Sequence, residues 1–370
     1  VALVERALTD GACGASTGLE YTPGAFAPLD ELIALARPLA ARRLPYATHM
    51  RNEDDRLLQA VDEAIAVAHG AGCPLEVSHL KTEGKRNWRK IDDVFRRIDD
   101  ARRTGLDVTF DRYPYIAYQT DLGNLFPKWS EDGGTAAFVA RLQRADLAPR
   151  LREAVGAKID LLGGWNNVLI SSVAAEADRG AEGQRLGTYA AALGGDPYDT
   201  AVDLLVRSRG DVGMVGFAMS EENVERFLAH PLCTVCSDGG AVAVSGPARA
   251  GHPHPRSLGT FPRVLGHYVR ERHTLSLAQA IHKMTAQTAA RLALPRRGRL
   301  SPNFAADVVV FDPATVHDRA TFADPFQYPD GISVVVVNGI VALRDGQRNA
   351  TRSGRALPLI QTRLDSDRSL

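Results

Sequence analysis

Cysteine, net charge and long apolar runs are all scarce in this sequence, and each scarcity narrows what the chain can be. Four cysteines in 370 residues are too few for a disulfide scaffold and suit a reducing compartment, so a cytoplasmic setting is expected. Lysine plus arginine (44) balance aspartate plus glutamate (44), which leaves no electrostatic footprint for nucleic acid or an anionic membrane as partner. No apolar run approaches the roughly 18 residues of a membrane span, and no basic-then-apolar leader opens the chain. Small neutral or anionic molecules remain as ligands, and nothing in the composition speaks to oligomeric state.

What is present is the makeup of a globular protein, 45% hydrophobic and 24% charged, able to bury one large core or two smaller ones. Short apolar runs alternate with amphipathic stretches, the signature of βα units around a parallel sheet. Strands are expected at 15–21, 46–49, 75–79, 108–115, 168–173, 213–218 and 233–237. Leu58, Val61 and Ile65 recur at helical spacing in the first crossover, and Ile91, Val94, Phe95 and Ile98 do so in the next. After a last helix at 285–294 the texture becomes β-rich, with hairpin turns expected at Asn338-Gly339 and Asp345-Gly346. The expected division is a barrel over 1–295 and a small β-rich unit over 296–370. The text begins in mid-pattern at Val1, as if earlier strands were missing.

Parallel βα folds put their chemistry at the C-terminal ends of strands. Two of the expected strands close on histidine, PYATH at His49 and PLEVSH at His79, about one βαβ unit apart. A third, TVCSD, closes on Asp238. Because strand side chains alternate, Ala47 and His49 are expected on one face, Leu75, Val77 and His79 on one face, and Thr234, Cys236 and Asp238 on one face. Imidazole and carboxylate at one barrel mouth are ligands for a divalent zinc-like ion. Each residue taken singly is more often a capping or hydrogen-bonding group than a ligand; the repeated placement of all three brings the two readings level, and no dense local motif such as HExxH decides between them. Cys233 and Cys236 have CxxC spacing but lie in a strand without a second pair, which favours core packing.

Seven segments together carry a resemblance: GASTGLEYTPG, YATHMRNEDDRLLQAVDEAI, VSHLKTEGKRNW, TFDRYPYIAY, VGFAMSEENVERFLAHP, CSDGGA and HPHPRSLGTFPRVLG. They resemble the N-acyl-D-amino-acid deacylases, or D-aminoacylases, of the amidohydrolase superfamily, over nearly the whole chain. The resemblance implies an α/β fold, a distorted (β/α)8 TIM-type barrel joined to a small β-sandwich. It implies hydrolysis of N-acyl-D-amino acids to a carboxylate and a D-amino acid, with zinc at the mouth. His49 and His79 correspond to the histidines that hold one tight zinc, a second weaker site being left open. Asp238 corresponds to a metal-associated catalytic aspartate that takes the proton of the attacking water and passes it to the leaving amine. Lys81 and Tyr113 correspond to substrate-holding residues and Met219 to one lining the side-chain pocket. The small polar residue that the family sets beside the substrate carboxylate falls on Gln119. The structural alternatives are a solvated loop lysine, a core tyrosine and a core gap-filler. Arg256 could pair with a substrate carboxylate or form an ordinary loop salt bridge.

The family also uses a His-x-His pair on its first barrel strand and an early cysteine ligand, and neither segment is in this sequence. The expectation is therefore an N-terminally incomplete barrel, weakly metallated and nearly inactive on its own. Two other functions share the pattern: a cyclic-amide hydrolase of hydantoinase or dihydroorotase type, and a non-catalytic barrel scaffold.

Overall fold

The structure, a computed structural model, describes residues 1–359. Twelve strands run in chain order through those residues: β1 (Ala15–Gly18), β2 (Tyr46–His49), β3 (Leu75–Val77), β4 (Val108–Arg112), β5 (Ala117–Asp121), β6 (Val168–Val173), β7 (Val212–Phe217), β8 (Cys233–Val235), β9 (Val308–Phe311), β10 (Ile332–Val337), β11 (Ile340–Arg344) and β12 (Gln347–Arg348). They form a five-stranded parallel sheet in the order β1-β2-β3-β4-β8, a three-stranded antiparallel sheet β5-β7-β6, and a four-stranded antiparallel sheet β12-β11-β10-β9.

The parallel sheet is covered on one side by the crossover helices Leu57–Ala71 and Ile91–Arg103. Leu75, Val77, Val108 and Phe110 pack with Val61, Val94 and Ile98 in one buried cluster. In the first helix the buried row is Leu57, Val61, Ala64 and Ala68, so the apolar face is turned slightly from the expected Leu58-Val61-Ile65 line, whose outer members pack half-buried against the same cluster. Gly72, with φ of 73°, ends that helix in the left-handed conformation that glycine adopts without strain.

The opposite face of the sheet is polar. Register sets Ala47, Glu76 and Thr109 side by side, with the Thr109 hydroxyl donating to the Glu76 carboxylate. Arg291, from helix Ala286–Arg291, reaches Glu76 Oε2 at 2.9 Å.

One expectation needs correction. The runs expected at 168–173 and 213–218 are strands, but not members of the parallel sheet: β7 pairs antiparallel with β5 on one side and with β6 on the other, in an excursion between β4 and β8. Buried, continuous apolar strands look alike in either sheet, and only their antiparallel pairing distinguishes them. The expected last helix at 285–294 is present as Ala286–Arg291, with a further helix, Leu277–Met284, directly before it across Thr285. The hairpin turns are as expected: Asn338 and Gly339 have φ of 50° and 82°, and Asp345 and Gly346 of 49° and 76°, the positive values a type I′ turn requires. Of the β-rich stretch, residues 360–370 lie outside the described ones. No helix among the described residues is long and apolar enough to cross a membrane.

Burial and the neighbouring Asp111 push the Glu76 carboxyl up to about 7, against the opposing pull of Arg291 and Thr109. Because its folded value exceeds its unfolded one, Glu76 contributes stability that is present below about pH 4.5 and lost as pH rises through about 7. Glu76→Gln should remove that loss, raising stability at pH 8 by on the order of 2 kcal/mol and changing little at pH 4. Urea denaturation at the two pH values checks it.

Candidate metal centre at the strand ends

His49 closes β2 on the same face as Ala47, and so points to the polar side of the sheet. His79 reaches that side by another route. On β3 it is Glu76 that faces the polar side, so strict alternation would not bring Leu75, Val77 and His79 to the site together. The strand ends at Val77, and His79 takes a left-handed φ of 41°. Asp111 holds that turn, its Oδ1 accepting the His79 backbone N–H at 2.6 Å. Asp238 is displaced in the same manner: β8 ends at Val235 and Asp238 has φ of 47°. Positive φ at a residue with a side chain is uncommon, and such residues cluster where function demands a particular side-chain direction.

The two imidazoles meet at His49 Nδ1 and His79 Nε2, 2.9 Å apart. Each outer nitrogen faces a carboxylate. His49 Nε2 lies 2.8 Å from Glu20 Oε2, whose other oxygen accepts from Asn124 at 3.1 Å. His79 Nδ1 lies 3.2 Å from Glu53 Oε1 and 2.7 Å from Lys81 Nζ, and Lys81 also donates to Glu53 Oε2 at 2.5 Å. Lysine can only donate, so one direction of donation satisfies the chain: Lys81 to His79, His79 Nε2–H to His49, His49 Nε2–H to Glu20.

Electrostatics separate the members of this network. Burial opposes ionisation of Glu53, but Lys81 and the two imidazoles outweigh it and hold its carboxyl well below the usual range. Glu20 is likewise lowered to about 2, the His49 hydrogen bond and Lys158 overcoming burial. His49 is raised despite burial because Glu53 and Glu20 face it, whereas burial and Lys81 lower His79.

The donor set fits a divalent ion. Two nitrogens bound to one tetrahedral zinc at about 2.05 Å stand about 3.3 Å apart, close to the observed approach. Ligation by both requires the His79 hydrogen to sit on Nδ1. There Glu53 Oε1 is a buried acceptor with no aligned hydrogen bond, suited to receive it. A ligating histidine whose other N–H donates to a carboxylate is the usual supporting arrangement of zinc sites. Ligand atoms of His49, Glu53 and His79 all lie within 4.8 Å of one another.

A cavity of about 190 Å³ opens over this group, lined also by Tyr113, Gln119, Asp238 and Arg256. Lys81, Tyr113 and Asp238 are thus brought to one space with the histidines. Lys81 and Tyr113 are buried, the phenol hydroxyl without a partner. Asp238 Oδ2 lies 2.7 Å from Arg256 Nη1 and stands outside the histidine–Glu53 group. Met219, also buried, lines a neighbouring cavity of about 690 Å³ with Trp88 and Phe217. Sequence reasoning missed Glu20 and Glu53. Applying the strand-end rule to β1 would have found Glu20, two residues beyond Gly18, whereas Glu53 lies in the loop four residues past His49 and carries no such signal.

A profile described as the amidohydrolase family matches residues 242–342. N-acyl-D-glutamate deacylase of Alcaligenes xylosoxydans xylosoxydans is 39% identical over 91% of this chain and 60% of its own length. D-aminoacylase of the same organism is 34% identical over 96% of this chain and 63% of its own. Among solved structures, N-acyl-D-glutamate deacylase from Bordetella bronchiseptica, complexed with zinc and a phosphonate inhibitor, superposes with TM-score 0.78 at 35% identity, covering 96% of this chain and 65% of that one. The fold is accordingly an α/β barrel of TIM type with C-terminal antiparallel strands, and the chain's similarity is to amidohydrolases. Within that class its similarity is to the N-acyl-D-amino-acid deacylases, and it spans less than two thirds of the length of these relatives.

Glu20→Gln keeps the size of the side chain and its Asn124 contact but weakens its hold on His49. Zinc affinity should fall by about 10- to 100-fold with unchanged far-UV circular dichroism, measured by competition with a chromophoric chelator.

Proposed function

We propose that this chain carries out zinc-dependent hydrolysis of the amide bond of N-acyl-D-amino acids. The observation that carries this reading is the pair of imidazoles 2.9 Å apart, each backed by a carboxylate, beneath a cavity lined by Asp238, Lys81 and Tyr113. The relatives, deacylases of N-acyl-D-glutamate and N-acyl-D-aspartate and D-aminoacylase, supply the substrate class.

His49 and His79 would hold the ion, with Asp238 lining the same cavity. Zinc, when bound, supplies Lewis-acid polarisation of the scissile carbonyl and lowers the pKa of water toward about 7. Asp238 takes the proton of the attacking water and returns it to the departing amine, whose C–N bond breaks. Tyr113, with its free hydroxyl, and Lys81 hold the substrate carboxylate, and Met219 borders the space for the D-side chain. A second, weaker metal site, in line with the binuclear metal centre of D-aminoacylase, and a cytoplasmic setting, supported by four free cysteines, belong to the same proposal. So does a functional division near residue 295.

Zinc-supplemented protein should hydrolyse N-acetyl-D-amino acids, lose turnover on chelation, regain it on zinc addition, and leave the L-enantiomers and hydantoin essentially untouched. Asp238→Asn should lower kcat by about 100-fold or more. Turnover indifferent to chelation, or faster on hydantoin, would overturn the reading.

A further inference from the structure

Asp238 sits where it does because of a residue eighteen positions further on. The loop after β8 is pressed against the start of helix Arg256–Arg263: a Cβ at Gly239 would stand 2.8 Å from Ser257 Cα, and the Gly240 N–H donates to Ser257 Oγ at 3.2 Å. Only glycine fits at 239. Immediately before Ser257, the buried Arg256 brings Nη1 to 2.7 Å from Asp238 Oδ2.

The same guanidinium lies 4.8 Å from the centroid of the Tyr113 ring, and that of Arg112 lies 4.4 Å from it. Arg256 is itself anchored through its main chain, its N–H donating to His254 Nδ1 at 3.0 Å and its carbonyl accepting from Thr260 Oγ1 at 2.8 Å. His254 is tied in turn to Ala117 of β5 by a 3.0 Å hydrogen bond from ring to carbonyl. Arg256 Nε and Nη1 have no aligned hydrogen-bond partner, so it grips Asp238 by charge and proximity rather than by a directed bond.

We propose that Arg256 is a positioning residue: one guanidinium fixes the Asp238 carboxylate and the Tyr113 ring at a set separation, tying the proton-transfer group to the substrate-holding phenol. This rests on the function proposed above. A cation that meets an aromatic face and a carboxylate at once restricts both, and a misplacement of about 1 Å in such a pair costs about 100-fold in rate.

The test uses zinc-loaded Arg256→Met and Arg256→Lys, with metal content and circular dichroism matched to the parent. In Arg256→Met, kcat should fall about 100-fold with KM within about 3-fold, and added guanidinium ion should restore part of kcat. The crystal structure of the variant should show the Asp238 carboxylate displaced by about 1 Å or more with His49 and His79 unmoved. A rise in KM at constant kcat would overturn the proposal and make Arg256 a substrate contact, and an unmoved Asp238 would overturn it outright. If Arg256→Met does not fold, Arg256→Lys carries the same measurements. If the zinc-loaded parent turns over nothing, the functional reading fails by itself, and the variant structure still decides the positioning role.

Discussion

The approach of His49 Nδ1 to His79 Nε2 across neighbouring parallel strands is the contact on which the site depends. Parallel pairing of β2 with β3 brings the two strand ends together, but pairing alone would send His79 to the helix-covered face. The left-handed turn at His79, held by Asp111 from the next strand, rotates the imidazole inward. Three consecutive strands therefore cooperate to make one short contact. The backbone strain at His79 is borne by a ladder whose apolar face is buried elsewhere.

Charge organises what geometry brings together. The cavity mixes acidic groups at Glu20, Glu53 and Asp238 with basic ones at Lys81 and Arg256, and burial would make Glu53, Lys81 and Arg256 costly if unpaired. Each is answered: Glu20 by His49 and Asn124, Glu53 by Lys81, Asp238 by Arg256. Among the buried polar atoms left without a hydrogen-bond partner, Glu53 Oε1 and the Tyr113 hydroxyl are placed where a ligated histidine and a bound substrate would satisfy them.

Much of this was legible in the sequence, for reasons that can be named. β2 was read to the residue because a short alternating run ended abruptly in charge, and the two C-terminal turns because Asn-Gly and Asp-Gly have few other uses in a β-rich stretch. His49 and His79 were legible as strand ends. The mechanism that turns His79 and Asp238 inward was not, since a positive φ leaves no periodic trace. Glu20 and Glu53 were hidden because their meaning lies in which imidazole nitrogen they face. The antiparallel excursion was hidden because β6 and β7 carry the same apolar text as a parallel core strand.

That excursion has a consequence of its own. Gln119, Thr120 and Asn124, which form one wall of the cavity, are contributed by β5 and the turn after it, outside the parallel ladder that presents the histidines. The histidine-bearing strands and the wall are thus carried by separate hydrogen-bonded sheets. Residues of the wall can be exchanged without touching the ladder that sets the two imidazoles together.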